Sequence, residues 1–498
     1  MKRNLLKLQL LFAFSLLLLA TSVQSQWQQK GTDIFGLEYD TAGGAIAISA
    51  DGNLMAVGAS QADPNGSQSG NVRVFEWDGT QWLQRGQTLG GEAANNKFGY
   101  SVSLTPTGNR LAVGATGAAA GGYPSAGNVS VFDWNGSSWE IVGSTIDGVY
   151  NDINSGWSVS LDGNGNRVAI SAPHAGLSGT QIGEVRIYTF DGSDWSQLGN
   201  VIEGENQYDY MGHSIKLSAN GERVAIGTHM NDDFATDAGS VDIYEWNGSQ
   251  WAQMGNRLTG TEETDWFGRS IDFSADGNRI VAGAWHHGED RGQVRAFEWN
   301  GSEWEQLGQS INGENDYDNS GHSVSLSADG TTMAIGSVQN PGGGEYRGQT
   351  RVFKLVDTTW LQVDNGINGL FDNEYGGYNT AISANGETVL IGMPLSSANG
   401  TYAGAVRAYE GGVLGVDSSE AMEFVAFPNP ASNLISIAME RSFSQIEIVQ
   451  YDILGNKVNS ATFQNSKEVD FPLRGQTGIY FLIVQADNSR EIIRVVKE

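Results

Sequence analysis

Apolar and polar residues alternate with a period of two in short bursts along most of this chain, and the bursts recur in sets of four. The first burst of a set reads Gly-x-Ser-Val-Ser-Leu-Ser, as at 99–105, 212–218, 268–274 and 321–327. The second is more continuously apolar, Arg-x-Ala-Val-Gly-Ala, as at 110–115, 167–172, 223–228 and 279–284, with variants at 54–59, 332–337 and 388–393. The third reads Val-Arg-Val-Phe-Glu-Trp, at 72–77, 129–134, 185–190, 241–246 and 294–299. The fourth begins at a tryptophan. Alternation of this kind is the signature of strands. Asp78-Gly79, Asn135-Gly136, Asp191-Gly192, Asn247-Gly248 and Asn300-Gly301 join third to fourth bursts. Asn-Gly and Asp-Gly predict tight hairpins in which both central residues take positive φ.

Trp27, Trp82, Trp139, Trp195, Trp251, Trp304 and Trp360 open these fourth strands at steps of 53–57 residues. Such a period marks a repeat architecture. Four antiparallel strands per unit predict a β-propeller blade. Second strands follow Gly52, Gly108, Gly165, Gly221, Gly277, Gly330 and Gly386, so seven blades are expected. The seventh unit lacks an outer strand, while 27–31 is an outer strand without a unit. The expected fold is therefore all-β: a seven-bladed β-propeller at 26–412, closed by pairing of the N-terminal strand into the last blade. The periodic tryptophans, and Trp77, Trp134, Trp246 and Trp299 at the ends of third strands, are expected to be scaffold.

Residues 1–25 read as a secretory signal, with Lys2, Arg3 and Lys7 ahead of the apolar run 10–20 and a small, polar stretch after it. No other run is long and apolar enough to predict a membrane span. The chain has no cysteine, so its stability has to come from packing. Residues 26–420 hold 18 Lys and Arg against 48 Asp and Glu. A field of that sign argues against nucleic acid and anionic lipid as partners.

The segments Phe98-Gly99-Tyr100-Ser101 with Val113-Gly114-Ala115, and Phe267-Gly268-Arg269-Ser270 with Val281-Ala282-Gly283-Ala284, resemble the FG-GAP repeats of integrin-α-like propellers. The resemblance implies an extracellular propeller used in adhesion or recognition. The integrin-type calcium loop is missing: the turn at Ser49-Ala50-Asp51-Gly52-Asn53 and its counterparts carry one acid each at most, too few for a cation that takes 6–8 oxygens. Phe427-Pro428-Asn429-Pro430, Tyr451-Asp452-Ile453-Leu454-Gly455 and Gly478-Ile479-Tyr480-Phe481 resemble the C-terminal sorting domain of the type IX secretion system. That resemblance implies a small Ig-like β-sandwich at 423–498, after a linker at 413–422. It also implies export through the type IX machinery of a Bacteroidetes-type bacterium, to the outer-membrane surface or the extracellular space.

Strand alternation puts the long, irregular connections two–three and four–one on one face, which is where binding is expected on a rigid scaffold. Trp157, Trp266 and Trp285 are the aromatic candidates for ligand contact there. His174, His229 and His286 follow second strands on the same face and are the imidazole candidates. Asp209, Asp265 and Asp318 recur in the four–one loops. They are calcium candidates, or acceptors of backbone N–H groups within a tight turn. No cofactor is expected. No cysteine nucleophile, nucleophile elbow, His-Glu-x-x-His pair or phosphate-cradling glycine loop is present. Three readings stay open: a monomeric adhesion or binding protein for glycan or protein, a polysaccharide hydrolase or lyase using loop carboxylates near the axis, and a structural surface component.

Overall fold

The computed structural model describes residues 27–176, 180–411, 425–427, 430–452, 456–486 and 489–497. The expected signal segment 1–25 and linker 413–422 lie outside them. The architecture is all-β. Residues 27–411 build seven antiparallel sheets of four or five strands, each following its strands in chain order, as in Ala45–Ile48, Leu54–Ala59, Asn71–Trp77 and Trp82–Gln84. The exception is the sheet of Asn379–Ile382, Thr388–Met393 and Ala405–Gly411. Its outer strand is Trp27–Gln29, from the other end of the chain, with Trp27 opposite Gly411 and Gln29 opposite Tyr409.

Second strands lie in mid-sheet with a neighbouring sheet on either side, so Leu54–Ala59 is buried at all six positions and reads as an apolar run. Each core is shared between neighbouring sheets: Val129 and Val131 pack with Val159, Leu161 and Val168 of the next. The glycine of the second strand has a steric cause. A Cβ on Gly227 would stand 1.9 Å from the carbonyl oxygen of Gly268 in the next sheet, and one on Gly336 would stand 2.0 Å from that of Gly377. The serine of Gly-x-Ser then grips the same carbonyl: Ser214 Oγ donates to Gly268 O at 2.7 Å, Ser270 to Gly321 O at 2.7 Å and Ser323 to Gly377 O at 2.8 Å. Asn379 makes the closing contact, donating to Gly44 O at 2.7 Å.

Backbone bonds link the one–two turns in a circuit. Gly163 N–H donates to Ala219 O, Ala219 to Ala275, Ala275 to Ala328, Ala328 to Ala384, Ala384 to Ala50 and Ala50 to Pro106, all at 2.8–3.0 Å. The circuit is interrupted only after Pro106, which has no N–H to give.

The periodic tryptophans from Trp82 onward latch one sheet to the one before. Trp82 Nε1 donates to Lys30 O at 2.8 Å, Trp251 to Leu198 O at 3.0 Å and Trp360 to Leu307 O at 2.9 Å. Trp77, Trp246 and Trp299 press against the glycines Gly31, Gly199 and Gly255 of the preceding unit.

Two local expectations change. The hairpins between third and fourth strands are four-residue loops in which glycine alone is left-handed: Trp77 pairs with Trp82, and Gly79 has φ 100°. The preceding side chain caps the loop instead, as where Asn135 Oδ1 accepts the N–H groups of Ser137 and Ser138. The outer strand is also broken in two: Trp251–Gln253 and Leu258–Thr259 both pair with Ser240–Trp246. The two pieces fuse into one strand only at Thr359–Asn368.

The C-terminal residues form a further antiparallel sheet: Val425–Phe427, Leu434–Asp452, Lys457–Pro472, Gly478–Ala486 and Ser489–Lys497. Its long hairpin shifts register between Ala438 and Phe443. Ile435, Ile437, Phe443, Ile446, Ile448, Phe471, Leu482 and Val484 are its core. Gln450 is buried among them and satisfied twice by the Arg474 backbone, at 2.8 and 2.9 Å. Among the described residues no helix is long and apolar enough to cross a membrane.

Candidate functional site

The residue x of Gly-x-Ser is where the seven first strands begin, on the face of the long loops. Around the circuit these residues are Gly44, Tyr100, Trp157, His213, Arg269, His322 and Tyr378. All seven line a single cavity of about 470 Å³. Since every first strand contributes, the cavity lies on the axis. A second one of about 470 Å³, lined by the remainder of the same strands, continues toward the one–two turns. The serine clamps described above hold the preceding Gly carbonyls and so fix where the x side chains stand.

Six of the seven x residues carry a ring or a guanidinium, and the rings meet at steep angles of 49–63°. Tyr100 and Trp157 have centroids 4.8 Å apart, Trp157 and His213 5.6 Å, and His322 and Tyr378 4.6 Å. Trp285 bridges the gap between Arg269 and His322: the Arg269 guanidinium carbon sits 4.8 Å from its ring, and His322 is 4.7 Å away. An outer tier supports this ring. His174 touches Trp157 at 5.2 Å and Tyr210 at 5.5 Å, and His229 touches His213 at 4.3 Å and Trp266 at 5.5 Å. Trp266 then meets Trp285 and His286, and His286 bonds Asp290.

His174, His213, His229 and His322 are kept neutral. Burial and the Arg269 charge push His229 and His322 down to about 3, and burial, His229 and Arg269 push His213 well down from its ordinary value. His174 is lowered by burial. Hydrogen bonding gives the tautomer of His213. Arg269 Nη1 can only donate, to Nε2 at 3.3 Å, and the Arg269 carbonyl can only accept, from Nδ1–H at 3.3 Å.

All six candidates, Trp157, Trp266, Trp285, His174, His229 and His286, therefore fall in one aromatic network, with Trp157 on the cavity wall and the others behind or beside it. The histidines are interleaved with Tyr210 and Trp266 and do not converge on a point. Tyr100, Arg269 and Tyr378 line the cavity without having been candidates. Reading the x column alone would have found them.

Asp209, Asp265 and Asp318 sit at the centres of four–one loops, each between two left-handed residues such as Thr264 (φ 59°) and Trp266 (φ 53°). Their oxygens tie the loop to its two–three neighbour. Asp209 accepts from Asn231 at 3.0 Å, Asp318 from Asn340 at 3.0 Å, and Asp265 from His287 at 2.9 Å. Asp265 also accepts the Thr261 and Glu262 N–H groups. The ligand atoms of Glu262, Asp265 and His287 lie within 4.8 Å of one another, a spacing a cation could use, but those of Asp265 and His287 already serve each other. Burial alone would raise the Asp265 carboxyl; the His287 bond and the loop N–H groups hold it below its ordinary value.

Residues 425–498 match the family described as the secretion system C-terminal sorting domain. The match marks the chain as exported to the cell surface or beyond, with the secretion machinery as a partner. A search of curated proteins finds no match to the chain. Among solved structures, a putative 6-phosphogluconolactonase from Bacteroides uniformis is 11% identical with a TM-score of 0.45, over 66% of this chain and 86% of its own. Chaetomium thermophilum Raptor is 11% identical with a TM-score of 0.49, over 78% of this chain and 29% of its own. The Dos1 propeller is 12% identical with a TM-score of 0.42, over 78% and 95%.

Proposed function

We propose that this is a secreted binding protein: a seven-bladed β-propeller at 26–412, closed by its N-terminal strand, with a linker at 413–422 and an Ig-like sorting domain at 423–498. Its ligand, a glycan or protein at the cell surface, is taken at the axial mouth on the long-loop face. One observation carries this reading. Seven first strands converge on a cavity of about 470 Å³ whose wall is aromatic and rich in hydroxyl and amide groups, the composition expected of a recognition pocket. The spacing of the seven sheets and the Gly–Gly contacts between them support the FG-GAP likeness, which speaks to fold and not to ligand.

Hydrolysis by paired carboxylates receives no support here. No Asp or Glu lines the axial mouth among the described residues, and the two that line the deeper cavity, Asp162 and Asp272, accept the Arg167 and Leu326 N–H groups, whereas a glycosidase needs two at its cleavage point. Loss of the ring by a Trp157→Ala, Tyr378→Ala double variant is the test. On a glycan and matrix-protein array, the secreted chain retains at least one ligand and the variant, folded by circular dichroism, loses it. Equal retention by both would place binding elsewhere, and no retention by the native chain would favour the structural-component reading.

A further inference from the structure

The propeller region is strongly acidic, yet its axial mouth has no carboxylate and one cation. Arg269 stands in the ring between His213 and His322, and arginine keeps its proton. Its guanidinium finds one acceptor among the described residues, the Nε2 nitrogen of His213, and its Nε is buried without a partner. The buried Arg295 and Arg351 leave their Nε without a partner too, but each reaches oxygen: Arg295 donates to Thr259 O at 2.5 Å, and Arg351 to Asn312 O and Ser320 Oγ at 2.8 Å. Arg407 is held by Asp33 and Glu374. Arg269 thus turns its fork of donors on a cavity, stacked on Trp285 and bonded to His213, with no oxygen to receive it. A buried cation left this way is costly unless something bound there completes it.

The rest of the wall says what that something is. The neighbouring His213 and His322 are neutral and burial pushes the Tyr100 hydroxyl up from its ordinary value, so the site offers a single positive charge. A planar carboxylate matches the fork with two oxygens. Trp157, Tyr100 and Tyr378 line the wall with aromatic surface for a flat body beside it, and Ser60, Gln61 and Ser158 offer polar groups to hydroxyls. The acidic field around the mouth opposes polyanions, while at about 8 Å of screening length a single charge deep on the axis feels mostly Arg269.

We propose that the axial mouth recognises a ligand bearing one carboxylate on a flat body, such as a terminal acidic sugar, with Arg269 as the residue that selects the charge. The inference rests on the mouth being the binding site. Calorimetric titration of the secreted chain with glucuronate, glucose and benzoate tests it. Glucuronate should bind at least ten-fold more tightly than glucose, which has the same ring without the charge. Arg269→Met, close to the arginine stem in volume, should remove that preference, and Arg269→Lys should restore part of it. Arg347→Gln, at an exposed ion pair with Asp372, should change nothing. Benzoate matching glucuronate would show that carboxylate and flat face suffice; benzoate binding more weakly would show that the sugar hydroxyls count, and both agree with the proposal. Equal binding of glucose and glucuronate, no carboxylate binding at millimolar concentration, or undiminished glucuronate binding by a folded Arg269→Met would overturn it. A neutral glycan held on the array while carboxylates fail would overturn the charge selection alone and leave the mouth as the site.

Discussion

At the residue scale the periodic tryptophan is a latch. Trp360 is 1% exposed and its N–H bonds Leu307 O in the preceding unit. Trp360→Phe should cost about 1 kcal/mol for the lost bond, and Trp360→Ala about 3–5 kcal/mol for the cavity, both read from denaturant midpoints. Similar losses for the two variants would deny the hydrogen bond its part. The buried histidines make a different forecast. Unfolded, His229 and His322 titrate near 6.5; folded, they titrate near 3. Between these values the unfolded chain binds protons that the folded chain refuses, so stability falls as pH drops. His287 opposes this, because its bond to Asp265 raises it and its contribution is greatest below 6.5. His322→Gln should therefore flatten the fall in Tm between pH 6.5 and roughly 5, above the titration of ordinary carboxylates. An unchanged slope would contradict the assignment. Of this site, the sequence made Trp157 and the histidines legible because their residue types stand out in loops. Arg269, Tyr100 and Tyr378 were hidden, since x looks like any variable strand position until ring closure brings together residues some 56 apart.

At the scale of elements, strand order and type follow from the hydrophobic pattern, and the second strands begin and end where their Arg-x-Ala-Val-Gly-Ala runs do. The broken outer strand was not legible. Its second piece, such as Leu258–Thr259, is two residues long and has no periodicity to read. The Asp-Gly turns were misjudged for a similar reason: a dipeptide signals a bend, while the side-chain cap two and three residues on sets its length. Closure depends on Trp27–Gln29 and on the ion pair behind it. Arg407, 1% exposed, is bonded by Asp33 at 2.6 Å and by Glu374 at 3.2 Å. Deleting 26–31 should lower Tm sharply and expose the edge of Ala405–Gly411 to association. Asp33→Ala should cost about 3–5 kcal/mol by leaving part of a buried cation unpaired. A Tm unmoved by the deletion would sink the closure.

For the whole molecule, a ring without cysteines is held by repetition: the same latch, clamp and turn-to-turn bond recur at most boundaries, and the axis inherits whatever side chain each unit places at x. The sorting domain is a separate instruction. Removing 425–498 should leave the protein inside the cell envelope, checked by fractionation with an antibody to the propeller; unaltered surface display would contradict the role of the tail. Function at the axial mouth depends on where a ligand sits. A crystal structure of the secreted chain with a ligand retained on the array would decide it. Density on the axis, within hydrogen-bond reach of Arg269 and against Trp157 or Tyr378, is the expected result. Density on the outer edge of the sheets or on the sorting domain, with the axial mouth unengaged, would contradict it.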